Sequence, residues 1–139
     1  MSGFERFMKS NKQPRLNVFY CATDSLRDEK GEPLKWEIKP LTTREAEEIR
    51  MDCTGSVRTE TGMQTVLSGD FVPRLCAAAV VYPDLKDAAL QDSYGVFTPQ
   101  DLLLELLDSP GDFNALADFV RRQSGLDVSV SRLAEEAKN

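Results

Sequence analysis

The sequence predicts an α+β fold that is mainly α, with a small N-terminal β-hairpin followed by a bundle of five to six helices. Residues 16–41 contain two stretches with the composition of strands, and most of the remaining chain repeats the start and stop signals of helices. The 139 residues, 41% of them hydrophobic, are enough to bury one core. We therefore expect a flexible tail over residues 1–15 and a single mainly helical domain over residues 16–139.

The two predicted strands differ in their sequence signal. The segment LNVFYCAT, residues 16–23, is rich in β-branched and aromatic residues, which favour strands. In LKWEIKPL, residues 34–41, the apolar residues Leu34, Trp36 and Ile38 alternate with charged residues, which is typical of a strand with one buried face. We expect the two strands to pair as a hairpin whose apolar face is covered by the helices, since an isolated hairpin is only marginally stable.

The first helix is predicted from a capping box. Thr42 followed by Glu45 allows each side chain to bond a free backbone N–H of the first turn, and Gly55 is a suitable end for the helix. The next segment, residues 56–69, is rich in Thr, Ser and Gly. Its composition is compatible with either a loose hairpin or a mobile loop.

A central buried helix is predicted from DFVPRLCAAAVVY, which runs from Asp70 to Tyr82. Its apolar residues surround the whole circumference of a helix, which indicates burial on all sides. Proline is tolerated only in the first turn of a helix, so Pro83 is predicted to end this one. A short helix follows, and Gly95 is predicted to close it.

Two later helices begin with the same signal. Thr98-Pro99 and Ser109-Pro110 each place a hydroxyl at the N-cap and a proline at the first helical position, with an acidic residue at the third. The spacing of apolar residues predicts a last helix over residues 130–137.

The composition argues against catalysis. The chain has no histidine, which removes the commonest general base and the commonest transition-metal ligand. It also contains neither a Cys-x-x-Cys pair nor a glycine-rich phosphate-binding motif. We therefore expect no catalytic, cofactor-binding or metal-binding residues and no enzymatic activity. The net charge of −6 argues against nucleic acid as a partner.

The sequence also argues against a membrane partner. The longest apolar run, LCAAAVVY, is much shorter than the roughly 20 residues of a membrane-spanning helix. The N-terminal segment lacks the apolar core of a signal peptide, so a cytoplasmic location is expected. In that reducing compartment, Cys21, Cys53 and Cys76 are expected to be reduced, buried thiols.

An ordered series of motifs resembles the XkdN-like tail assembly chaperones of long-tailed bacteriophages. The motifs are Pro83-Asp84-Leu85, Leu90-Gln91-Asp92-Ser93-Tyr94-Gly95, the Leu-rich stretch Leu102 to Leu107, and Gly111-Asp112-Phe113. The strand, acidic turn, Trp-containing strand and Glu-rich helix of the N-terminal half are similar as well, so the resemblance covers about residues 16–125. Ser25 and Leu26 depart from the pattern, which has a basic and an aromatic residue there.

The resemblance implies a protein that acts in the host bacterial cytoplasm during tail assembly. It implies that the chain keeps the tape-measure protein soluble, brings tail-tube subunits to it and is absent from the mature virion. The alternative is a structural tail-completion or adaptor protein that is retained in the virion. Self-association is possible in either case.

The Leu-rich helix offers a candidate partner-binding surface. On a helical wheel, the leucines of residues 99–108 span about 200°, which is wider than the stripe of roughly 100° that covers a core. Leu102 and Leu104 lie at the two margins of the stripe and are predicted to contact a partner or a second copy of the chain. Leu106 lies nearer the middle and is predicted to be core. The alternative is that the helix after Pro110 buries the excess.

Overall fold

The computed structural model describes residues 3–126. In this part of the chain, five α-helices and five β-strands are interspersed, and the strands form two sheets. The elements in chain order are β1 (Val18–Tyr20), β2 (Trp36–Ile38), α1 (Thr43–Asp52), β3 (Thr54–Thr59), β4 (Gly62–Leu67), α2 (Phe71–Ala79), β5 (Val80–Tyr82), α3 (Ala88–Tyr94), α4 (Pro99–Leu106) and α5 (Pro110–Ser124). Two short 3-10 turns, Gly3–Phe7 and Lys9–Asn11, precede β1. The predicted helix over residues 130–137 lies outside the described residues, and the flexibility of residues 1–15 stays a prediction.

The first sheet has the antiparallel strand order β1-β2-β5. The predicted pairing of the first two strands is confirmed, with Val18 opposite Ile38 and Tyr20 opposite Trp36. On the other side of β2, Ile38 pairs with Val80, and the register shifts next to it. Val81 is the extra residue at this irregularity, which bends the edge of the sheet.

The predicted fold class is wrong, because the strands are not confined to one N-terminal hairpin ahead of a helical bundle. The run LCAAAVVY is predicted as helix throughout, yet α2 ends at Ala79 and the next three residues extend as β5 beside β2. Ala79 and Val80 are both buried, so the apolar pattern continues unchanged while the backbone switches from helix to strand. The local signal for the switch is the β-branched pair of Val80 and Val81 ahead of Pro83.

The segment whose composition allows a hairpin or a loop forms the hairpin β3–β4. Its strands pair from Thr54 opposite Leu67 to Thr59 opposite Gly62. Gly62 has a φ of 124°, which glycine adopts without steric strain. Nearly all residues of both strands are exposed, and Leu67 is the strand residue that packs against the core. The hairpin therefore lies on the surface and adds a second sheet that the predicted architecture lacks.

The helix starts follow the sequence signals closely. The predicted capping box is confirmed, since the Thr42 hydroxyl accepts a hydrogen bond from the Glu45 N–H and the Glu45 carboxylate accepts one from the Thr42 N–H, both at 3.1 Å. The Thr98 hydroxyl accepts from the Asp101 N–H at 3.2 Å, as predicted for α4. Ser109 occupies the N-cap of α5, but its hydroxyl makes no capping hydrogen bond, so that detail of the prediction is wrong.

One core joins the inner face of the first sheet to the helices. Its largest fully buried side chains are Trp36, Ile38, Leu41, Leu102, Leu103, Leu116, Val120 and Cys76. Tyr20 stacks on Phe119 of α5, with ring centroids 4.5 Å apart, which places α5 against the sheet. Among residues 3–126, no helix has both the length and the apolar character needed to cross a lipid bilayer.

Candidate partner-binding surface

The structure separates the two leucines that the sequence places at the margins of the apolar stripe. Leu102 has 0% of its surface exposed, whereas Leu104 is 40% exposed. The expected exposure of Leu102 is wrong because α4 packs against both α2 and α3, so its apolar stripe is covered by more than one neighbour. Leu106 is buried, as predicted. Of the two candidate residues, Leu104 is the one that a partner can reach.

A more extensive candidate site is a cleft of about 480 Å³ between α1, α2, β5 and the first turn of α4. This volume lies within the range of roughly 300–1,000 Å³ that is typical of ligand pockets. The residues that line the cleft are Lys39, Glu45, Ile49, Arg74, Ala77, Ala78, Val80, Val81, Asp84, Leu85, Lys86, Pro99 and Gln100.

The apolar part of the cleft is built from short side chains. Ala77 and Ala78 belong to α2, and Val80 and Val81 belong to β5, which follows α2 directly. Because an alanine side chain extends only one carbon from the backbone, α2 leaves open a space that a larger residue would fill. Val81 is 42% exposed, whereas Leu85 is only 3% exposed. The cleft thus offers apolar surface to solvent above a well-packed core.

Lys39 and Glu45 form a close ion pair on the wall of the cleft. The Lys39 ammonium lies 2.6 Å from a Glu45 carboxylate oxygen, and the Thr42 N–H donates to the other oxygen at 3.1 Å. Partial burial acts to raise the pKa of Glu45, but the hydrogen bonds from Lys39 and Thr42 outweigh it, so the pKa lies below its ordinary value. Glu45 is therefore ionised at neutral pH, and Lys39 balances its charge.

Two other cations of the cleft are less completely paired. An Arg74 guanidinium nitrogen lies 3.8 Å from an Asp52 carboxylate oxygen, which is long for an ion pair, and another lies 3.7 Å from the Cys53 sulfur, a weak acceptor. Lys86 makes no ion pair with the residues that the structure describes. Asp84 uses a carboxylate oxygen to accept the Lys86 backbone N–H at 3.0 Å. The lining of the cleft thus contains three cations, Lys39, Arg74 and Lys86, and two anions, Glu45 and Asp84, which is a net charge of +1 on a chain whose net charge is −6.

A second apolar surface is the outer face of the first sheet, which we call the outer sheet face. The strand register places Phe19, Glu37 and Tyr82 in one row across β1, β2 and β5. Phe19 is 68% exposed and Tyr82 is 63% exposed, so two aromatic rings flank the carboxylate. The Asn17 side chain donates to that carboxylate at 2.7 Å. Sequence reasoning misses this row because it depends on the pairing of β5 with β2.

The cleft and the outer sheet face each combine exposed apolar side chains with charged groups. Within residues 3–126, no group of three or more Cys, Asp or Glu side chains is arranged to hold a metal ion. Cys53 and Cys76 are buried free thiols, as expected, but Cys21 is exposed, so its expected burial is wrong. Cys21 directly follows β1, which is an edge strand of the sheet.

Comparison with known families gives the class of protein to which this fold belongs. The chain belongs to the phage XkdN-like tail assembly chaperones, because the family model for that protein matches residues 4–138. The resemblance seen in the ordered motifs is therefore confirmed.

The chain is similar to two known proteins, one in sequence and one in fold. The chain is 25% identical over 114 residues to the phage-like element PBSX protein XkdN of Bacillus subtilis (strain 168), an alignment that covers 81% of this chain and 77% of that protein. The fold is similar to the crystal structure of the protein YqbN, with a TM-score of 0.75 and 18% sequence identity, covering 91% of this chain and 98% of the other. At that level of identity, the second comparison concerns the fold alone.

Proposed function

We propose that this chain binds the tape-measure protein during tail assembly, helps to recruit tail-tube subunits and is absent from the mature virion. The observation that carries the proposal is membership of the tail assembly chaperone family over residues 4–138. A chaperone of this kind acts on other tail proteins, so its activity depends on surfaces that they can cover.

Two features of the surface support the proposal. The cleft and the outer sheet face both expose apolar side chains, and burying apolar area stabilises a complex by roughly 25 cal/mol per Å² before the costs of association are counted. A protein that holds one partner while a second arrives needs more than one such surface. We further propose that the chain acts by binding alone, without catalysis, in the cytoplasm of the host bacterium. The absence of histidine from the sequence favours this role.

The proposal is tested in cells that assemble the phage tail. A tagged version of the chain is purified from such cells, and the proteins that accompany it are identified by mass spectrometry. We expect the tape-measure protein and the tail-tube protein to copurify. Mass spectrometry of purified virions is expected to find no copy of the chain. Recovery of the chain from virions at a fixed ratio to the other tail proteins would instead indicate a structural adaptor.

A further inference from the structure

We propose that the cleft is the docking site for an amphipathic helical segment of a partner, whose apolar face enters the cleft while its carboxylates pair with Arg74 and Lys86. The inference rests on the proposed function in one respect, since the segment is taken to belong to the tape-measure protein. What the structure adds is the place on the chaperone and the chemistry of the segment.

The size of the cleft allows side chains from successive turns of one helix to enter it. Its volume of about 480 Å³ is large enough for several apolar side chains. A helix presents such side chains at positions i, i+3 or i+4, and i+7, which is the arrangement that apolar grooves recognise. The short side chains of Ala77 and Ala78 let a partner approach α2 closely, where its side chains gain dispersion contacts that a solvent-filled space does not provide.

The neighbouring strand is a poor template for an extended segment. β5 is an edge strand of only three residues, and Pro83 follows it directly. The register shift beside Val81 disturbs the edge further. Short strands, proline and bulges all weaken the addition of another strand at an edge. The helices α1 and α2 and the start of α4 supply much of the remaining lining, where an occupant meets side chains, which suits a helix.

The charges of the cleft specify acidic residues on the partner. Glu45 is neutralised by Lys39 at 2.6 Å, so this pair attracts neither sign strongly. Arg74 has a single carboxylate neighbour, at 3.8 Å, and Lys86 has no ion pair among the described residues. Asp84 is the remaining anion of the lining; it accepts a backbone N–H and keeps its negative charge. With Lys39 paired to Glu45, the lining leaves Arg74 and Lys86 against Asp84, which is a net charge of +1.

This local charge also provides specificity. The chain as a whole has a net charge of −6, whereas the lining of the cleft has a net charge of +1, so the cleft is a more favourable place for an acidic segment than the average surface of the chain. Charge pairs at the rim of an interface mainly affect the association rate and the dependence on salt, whereas the apolar contacts determine how long the complex lasts. An acidic amphipathic helix should therefore bind at this cleft in preference to the outer sheet face.

The experiment uses the chain, the intact tape-measure protein of the same phage, and a set of overlapping peptides that together span the tape-measure protein. Each peptide has roughly 20 residues, which is long enough for several helical turns. Binding is followed by fluorescence anisotropy. We expect the peptides that bind to be amphipathic in helical projection and acidic. The substitutions Arg74→Glu and Lys86→Glu should each weaken their binding about tenfold at low salt, and the difference should shrink as salt is added.

Two further variants separate charge from shape. Ala78→Phe fills the apolar part of the cleft without changing its charge, and it should weaken binding at least as much as the charge reversals do. Arg58→Glu makes the same change of charge on the exposed strand β3, outside the cleft, and should bind like the unaltered chain. Circular dichroism and thermal melting establish that each variant folds. Arg74 and Lys86 are not buried, so their variants keep the test valid if Ala78→Phe does not fold.

The outcomes distinguish the inference from the proposed function. The intact tape-measure protein could bind the Arg74→Glu and Lys86→Glu variants as tightly as it binds the unaltered chain. In that case the cleft is not the docking site, although the proposed function stands. The same conclusion follows if the bound peptides are basic or uncharged. If the unaltered chain binds neither the intact tape-measure protein nor any of its peptides, the proposed function is wrong and the inference fails with it.

Discussion

Arg15 holds the end of α5 by donating a hydrogen bond from its guanidinium to the carbonyl oxygen of Ser124 at 2.9 Å. A second guanidinium nitrogen donates to the carbonyl oxygen of Leu41 at 2.7 Å, and the Leu41 N–H donates to the Ser124 hydroxyl at 2.8 Å. The last carbonyl groups of a helix lack partners within the helix and attract cations. Arg15 therefore joins the segment before β1 to the segment after β2 and to the last helix of the described chain.

Replacing Arg15 by alanine should lower the free energy of unfolding by about 1–3 kcal/mol, because hydrogen bonds from a charged group to carbonyl oxygens are lost. The measurement is chemical denaturation at neutral pH. Lys12→Ala serves as the control, since Lys12 is exposed and its side chain makes no hydrogen bond or ion pair with the residues that the structure describes. That variant should change stability by less than about 0.5 kcal/mol. Equal effects of the two substitutions would mean that the Arg15 contacts contribute nothing.

Leu102 and Leu104 should respond differently to the same substitution. Leu102→Ala leaves a cavity in the core and should cost about 2–5 kcal/mol of stability. Leu104→Ala removes a side chain that is 40% exposed and should cost less than about 1 kcal/mol. Thermal or chemical denaturation of the two variants in parallel gives the comparison. A large loss for Leu104→Ala would show that this side chain is covered in solution, for example by a second copy of the chain.

The contrast between these leucines shows how far sequence patterns reach. A helical wheel gives the direction of each side chain around α4, but exposure depends on which elements pack on each side. Here α2 and α3 both contact α4, and neither contact is encoded in the Leu spacing itself. Local signals perform better, because the capping box of α1 and the prolines that begin α4 and α5 act within a single turn. The N-cap of α4 at Thr98 was accordingly predictable from four residues.

The cleft illustrates the other limit of sequence reasoning. Its lining comes from six parts of the chain, namely Lys39, α1, α2, β5, residues 84–86 and the start of α4, so no single motif reveals it. The run that supplies Ala77 to Val81 is apolar throughout and reads as one buried helix. Only the pairing of β5 with β2 turns Val81 outward beside the alanines of α2. Such long-range pairing is decided by tertiary contacts that override local propensity.

The capping box of α1 should make the free energy of unfolding depend on pH in the acidic range. The pKa of Glu45 is lowered in the folded state. Its carboxylate therefore makes its full contribution to stability at pH values above the ordinary pKa of about 4.3. This contribution is lost as the pH falls through the lower pKa of the folded state. Glu45→Gln should therefore be less stable than the unaltered chain at pH 7, with a difference that narrows below about pH 4. Urea denaturation at a series of pH values measures it. A difference that stays constant with pH would assign the effect to packing.

The cysteines should differ in reactivity according to their burial. Burial raises the pKa of the Cys76 thiol to about 12, so at neutral pH it is protonated as well as inaccessible, and the thiolate is the reactive form. Cys53 is also buried, with 3% of its surface exposed, whereas Cys21 is exposed beside β1. In the native chain, a thiol reagent at pH 8 should modify Cys21 rapidly and leave Cys53 and Cys76 unmodified until the chain is unfolded in urea. Cys21→Ser is the control. It should remove the rapid phase of modification, while the two remaining thiols should still be modified once the chain is unfolded. Rapid modification of Cys76 in the folded chain would mean that the core opens between α2 and the sheet far more often than its packing allows.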